Sequence, residues 1–182
     1  MSWRSSRSRL ITLAGALLPL VLVAPAVAEP PAAKNFVTHL TGAEEVPPRD
    51  CPGQGQALFQ LSKDGTELSY RLIASNIENV TAAHIHLGPP GGNFPVVLFL
   101  FGNAAPGGGS RDGVLAEGTA TAANLIGSLA GQPLSTLVTA MANGGTYVNV
   151  HTNDGVGLIN EGCGDFPGGE IRGQIRAAGP QD

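Results

Sequence analysis

Short runs in which apolar and polar residues alternate, each broken by Gly, Pro or Asn, extend along this chain from Asn35 onward. A period of two sends successive side chains to opposite faces, so these runs favour half-buried strands over helices. Gln56 to Leu61 sets Ala57, Phe59 and Leu61 on one face. Lys63-Asp64-Gly65-Thr66 reads as a hairpin turn, and Glu67 to Ala74 answers with Leu68, Tyr70 and Leu72. Further strands are expected over 36–41, 81–87, 114–119, 146–152 and 169–176. Pro95 to Phe101 is continuously apolar, which predicts a strand buried on both faces. Helical spacing occurs once. Thr121 can cap a short turn running to Leu129, and Pro133 can open a segment in which Leu134, Leu137, Val138 and Met141 share a face before Asn143-Gly144-Gly145 stops it. With 26 glycines and 14 prolines in 182 residues, turns are frequent throughout. The expected fold is all-β: an antiparallel, Greek-key-like sandwich or partly closed barrel of about seven or eight strands, with a short helical insertion near 121–142.

The first residues read as an address. Arg4, Arg7 and Arg9 precede an apolar run from Leu10 to Val23, and Ala26-Val27-Ala28 is a small-x-small cleavage signal. This pattern predicts a secretory signal peptide over 1–28, with 29–182 as one mature domain. No Cys stands at the expected new N-terminus, which argues against a lipoprotein, and no later apolar run reaches the length of a membrane span. All 14 acids lie from Glu29 onward and three of the 10 bases lie before it, so cleavage would lower the formal net charge from −4 to about −7. Such a chain is repelled by phosphate backbones, and no nucleic-acid partner is expected. A secreted or periplasmic location follows, with the protein or metal-ion partner left open.

In an exported chain an even, sparse cysteine count suggests a disulfide between Cys51 and Cys163. Two free thiols are the alternative; a two-Cys metal site lacks the usual CxxC spacing.

The polar faces of three strands carry the chemistry. In Ala82-Ala83-His84-Ile85-His86-Leu87 the two histidines share one face and Ala83, Ile85 and Leu87 the other. In Tyr147-Val148-Asn149-Val150-His151 the odd positions are polar, and in Glu170 to Arg176 the even ones are. Histidines at i and i+2 point the same way, about 7 Å apart along a strand, and their rings can converge on one ion. His151 is the natural third ligand if the two strands are neighbours. Three imidazoles with an open position suit Cu or Zn, whereas Ca²⁺ takes oxygen ligands. The competing reading is a polar network in which Glu170 or Glu45 holds His84 or His86. Glu170 and Arg172 are expected to pair on the last strand, with Asn149 in the same network, and His39 to be surface or core filler. No GxSxG or Walker A motif is present. Asp154, Glu161 and Asp165 match no calcium-loop spacing, and Asn79-Val80-Thr81 is a formal glycosylation sequon.

Four ordered motifs together resemble the CHRD domain, a module repeated in chordin and present singly in many exported bacterial proteins. They are His39-Leu40-Thr41-Gly42-Ala43-Glu44-Glu45-Val46-Pro47-Pro48, Thr81-Ala82-Ala83-His84-Ile85-His86-Leu87-Gly88-Pro89, Tyr147-Val148-Asn149-Val150-His151-Thr152 and Pro167-Gly168-Gly169-Glu170-Ile171-Arg172-Gly173-Gln174. The likeness covers about residues 35–178 and implies an extracellular β-domain. This chain lacks the Cys-rich modules that accompany the domain in chordin, so growth-factor binding is not carried over. It departs from the pattern in a lengthened stretch, 153–166, which bears Cys163. A bridge to Cys51 would pin that insertion to the first loop, near the HxH strand. The HxH strand is also similar to that of Cu/Zn superoxide dismutases, at the level of fold alone, because the remaining ligands do not match. The expectation is an exported binding or structural module, of which Cu or Zn binding through strand-borne histidines is the most specific version, with no catalytic residue assigned. The alternative is an extracytoplasmic metalloenzyme of dismutase-like or oxidative activity.

Overall fold

The computed structural model describes Met1 and residues 34–179. The expected signal peptide lies outside the described residues, apart from Met1. The described chain forms one antiparallel sheet of nine strands: β1 (Asn35–Thr41), β2 (Gln54–Leu61), β3 (Leu68–Glu78), β4 (Val80–Leu87), β5 (Val96–Phe101), β6 (Ser110–Ala120), β7 (Thr146–Thr152), β8 (Ile171–Gln174) and β9 (Arg176–Ala177). Helix α1 (Leu134–Ala142) and three 3-10 turns complete it.

The strand order is β5-β4-β7-β8-β1-β2-β3-β6, with β9 pairing β1 beside β8. The sheet curls until its two ends nearly meet, giving an almost closed barrel. Tyr70 Oη on β3 donates to Leu100 O on β5 at 3.0 Å, and Ile126 N donates to Val97 O at 2.9 Å across the remaining gap. The inward faces are those the alternation predicts. Ala57, Phe59, Leu61, Leu68, Leu72, Ala83, Ile85, Val148, Val150, Ile171 and Ile175 are all buried in one core, and α1 adds Leu134, Leu137, Val138 and Met141 to it.

Three expectations change. β5 is not buried on both faces: Val97, Leu98 and Leu100 join the core, whereas Phe99, paired with His84, lies on the outer face of the barrel and is 44% exposed. β6 runs for 11 residues rather than the short stretch expected, since pairing with β3 carries it back through Arg111 and Gly113 despite their loop-like composition. The last strand is broken at Ile175, which turns into the core between β8 and β9.

Close approach at the β1–β8 seam requires Gly173. A Cβ there would collide with the carbonyl oxygen of His39 and with Thr38 Oγ1. The obstacle is backbone and cannot rotate away. Gly173→Ala is expected to cost at least about 3 kcal/mol, read as a lowered denaturation midpoint at unchanged slope. A loss below about 1 kcal/mol would show that the seam can open.

Candidate metal centre

β4 and β7 are neighbours, and their pairing sets His86 opposite Tyr147, His84 opposite Asn149 and Ala82 opposite His151. The apolar alternates pack inward, so His84, His86 and His151 all stand on the outer face, where loops cover them. Each offers one ring nitrogen such that all three lie within 4.8 Å of one another. His84 and His86 are buried, and His151 is half-buried.

Backbone carbonyls set the ring tautomers. His86 Nδ1 donates to Phe94 O at 2.6 Å, and His151 Nδ1 donates to Pro167 O at 2.9 Å. A carbonyl only accepts, so both rings carry their proton on Nδ1 and keep a lone pair on Nε2. His151 Nε2 then accepts from His84 Nδ1 at 3.0 Å. That assignment leaves lone pairs on His84 Nε2 and His86 Nε2, both buried and without a hydrogen-bond partner. Unused buried acceptors are costly in a metal-free site and are what a cation would use. Nitrogens around a tetrahedral ion at about 2.0–2.1 Å would be about 3.4 Å apart, so the cluster would have to contract to bind one.

The surroundings keep the rings neutral. Burial, then the proximity of His151 and His86, holds His84 down to about 3. Burial is also the main cause at His151, which is lowered to about 4 against the opposing bond to Pro167. His86 is lowered by burial, and the Arg172 charge adds to this. His86 stacks on Tyr147 with ring centroids 4.8 Å apart, and the Arg172 guanidinium lies 3.5 Å from the same ring's centroid. Phe99 meets His84 edge-on at 4.4 Å.

The 88–95 loop is fastened over this face. Arg172 Nη1 donates to Gly92 O at 2.8 Å, Gln174 Nε2 to Gly88 O at 2.9 Å, and Phe94 N to Tyr147 Oη at 2.9 Å. Arg172 therefore binds loop carbonyls and not Glu170, and the expected ion pair is absent. Glu170 precedes β8 and follows Gly169, whose φ of +127° breaks the strand alternation. Its Oε2 accepts from Thr152 Oγ1 at 2.7 Å and from Gly164 N at 2.6 Å instead. Neither Glu45 nor Glu170 holds a histidine; Glu45 Oε2 accepts from Asn149 Nδ2 at 3.3 Å. The two carbonyls that do orient the rings, on Phe94 and Pro167, carry no side-chain signal in the sequence. His39 is exposed, on β1 opposite Gln56.

Cys51 and Cys163 lie at disulfide distance, with sulfurs 2.08 Å and Cα atoms 5.6 Å apart. The sequon asparagine is engaged: Asn79 Nδ2 donates to Gly164 O at 3.3 Å and its Oδ1 accepts from Gly109 N at 2.9 Å. Asp165 and Asp154 likewise accept from the backbone of Glu161 and Val156 within their own turns. Among the described residues no helix is long and apolar enough to cross a membrane.

One family model matches the chain, that of the CHRD domain, over residues 36–175. No curated protein and no solved structure matches it.

Proposed function

We propose, for a chain that belongs to the CHRD domain family, an extracytoplasmic role in holding a copper or zinc ion through His84, His86 and His151. The observation that carries this is the pair of buried, unpartnered Nε2 atoms on His84 and His86, beside a His151 whose tautomer a carbonyl fixes. An all-imidazole donor set suits Cu or Zn and offers no oxygens for Ca²⁺ or Mg²⁺. The metal would supply Lewis acidity and one exchangeable position. The chain's own residues would fix ligand orientation through Phe94 O and Pro167 O, and limit access through Phe99 and the 88–95 loop. Export is supported by the basic, apolar, small-x-small leader pattern and by the cysteine pair.

A metal-free polar network is the second reading, favoured by the 3.0 Å bond between His84 and His151. Calorimetric titration with Zn²⁺ and Cu²⁺ separates the two. The metal reading predicts one ion per chain, together with a rise in thermal midpoint that grows with free metal concentration. Absence of stoichiometric binding by a folded chain would leave the polar network. If binding holds, superoxide and oxidase assays on the loaded chain test the metalloenzyme alternative.

A further inference from the structure

Two buried oxygens remain without partners beside the histidine face: Glu45 Oε1 and Asn149 Oδ1. The same two side chains already share one bond, Asn149 Nδ2 to Glu45 Oε2 at 3.3 Å. Both orphaned oxygens lie against Gly169, where a Cβ would collide with the Asn149 amide and come within 2.7 Å of Glu45 Oε1. A carboxylate cannot use this arrangement, because its second oxygen and the amide oxygen would both be acceptors. A neutral acid can. With the proton on Oε1, Glu45 gains a donor that Asn149 Oδ1, orphaned against the same Gly169, can accept, while Oε2 keeps its bond from Asn149 Nδ2.

We propose that Glu45 is a protonated carboxylic acid that latches the 42–50 segment to β7 through a two-bond pair with Asn149, and that ionisation releases this latch. The proposal stands on the geometry of the pair and does not require a metal. Glu45 follows the first 3-10 turn, Gly42–Glu44, and Asn149 sits directly opposite His84 and two residues before His151. The segment so held also carries Val46, whose carbonyl accepts from Asn93 of the 88–95 loop, and Arg49, which stacks on Phe166. The latch therefore links three loops that surround the histidines.

The charged and titratable groups facing Glu45 are Arg172 from β8, Arg49 from its own segment and Tyr147 from β7. Burial raises the Glu45 carboxyl to about 7, against the opposing Arg172 charge, the Val46 backbone N–H, the Arg49 charge and the Asn149 amide, which do not cancel it. A folded value above the unfolded one means that the stabilisation is complete below about 4.5 and is lost as pH rises through about 7. The depressed histidines pull the other way as pH falls, so total stability against pH does not isolate Glu45.

The test compares the full chain with Glu45→Gln and Glu45→Ala. Gln has the shape of the neutral acid and can form the same two bonds with Asn149. At pH 6, where an ordinary Glu is ionised, infrared difference spectra of wild type against Glu45→Gln are expected to show a neutral carboxyl C=O band. Glu45→Gln is expected to keep the wild-type unfolding constant near pH 4.5. Wild type should then become less stable than Glu45→Gln by on the order of a hundredfold in that constant above pH 7. Glu45→Ala should be destabilised already at low pH. No neutral carboxyl band at pH 6, or a Glu45→Gln chain as unstable as Glu45→Ala at pH 4.5, would overturn the proposal.

Discussion

Replacing Cys51 and Cys163 together by Ser is expected to lower the unfolding free energy by about 4 to 5 kcal/mol. The two residues are 112 positions apart, so the cross-link removes the entropy of a very long loop from the unfolded ensemble. Without it the unfolded chain can expand, and the denaturant slope should rise slightly as well. In the folded state the bridge ties the end of the first loop to the 153–170 stretch. That stretch supplies Pro167 O to His151 and Gly169 to the Glu45–Asn149 contact. The double variant should therefore also bind metal more weakly, through a less well oriented His151. Paired denaturation curves of wild type and the double variant check the main effect. A loss under about 1 kcal/mol would mean that the unfolded chain stays compact without the bridge, so that the cross-link removes little of its entropy.

Single replacements of His84, His86 or His151 by Ala should each weaken Zn²⁺ or Cu²⁺ binding by on the order of 100-fold to 1,000-fold, as expected when one strong ligand of a small set is lost. Folding should survive in each case, because all three rings lie outside the apolar core on the loop-covered face. The low proton affinities of His84 and His151 add a pH signature. Ordinary imidazoles compete with protons below about 6.5. Rings held at about 3 and 4 stay unprotonated well below that, so binding should persist near pH 5. Competition titrations against a chelator of known affinity, repeated at pH 5 and 7, would report both effects. His39→Ala, on the exposed face of β1, is the control and should change nothing.

Much of this is legible in the amino-acid sequence alone. Alternation placed His84 and His86 on one face of β4, and Tyr147, Asn149 and His151 on one face of β7. The opposite faces are those found in the core. The i, i+3, i+4, i+7 set of α1 was equally plain, because a single apolar stripe is enough to fix a short helix against a core. Strand order was not legible, since it depends on contacts distant in sequence. Pro95 to Phe101 reads as buried on both faces because a continuous apolar run does not say which side of the barrel stays uncovered; Phe99 takes the outer one. The Glu170–Arg172 pair failed for a local reason. Period-two reasoning holds only inside a strand, and Gly169 in the left-handed region resets the direction before β8 begins. The carbonyls of Phe94 and Pro167 could not be found at all from side-chain identity, because every residue carries one.

X-ray absorption on the Zn²⁺-loaded chain bears most directly on whether β4 and β7 together build a metal centre. The account predicts about three imidazole nitrogens at about 2.0–2.1 Å with one water or hydroxide oxygen completing the shell, and loss of the imidazole scattering in a chain with His84, His86 and His151 all replaced by Ala. A shell of oxygens, or an imidazole signal that persists in that triple variant, would contradict it.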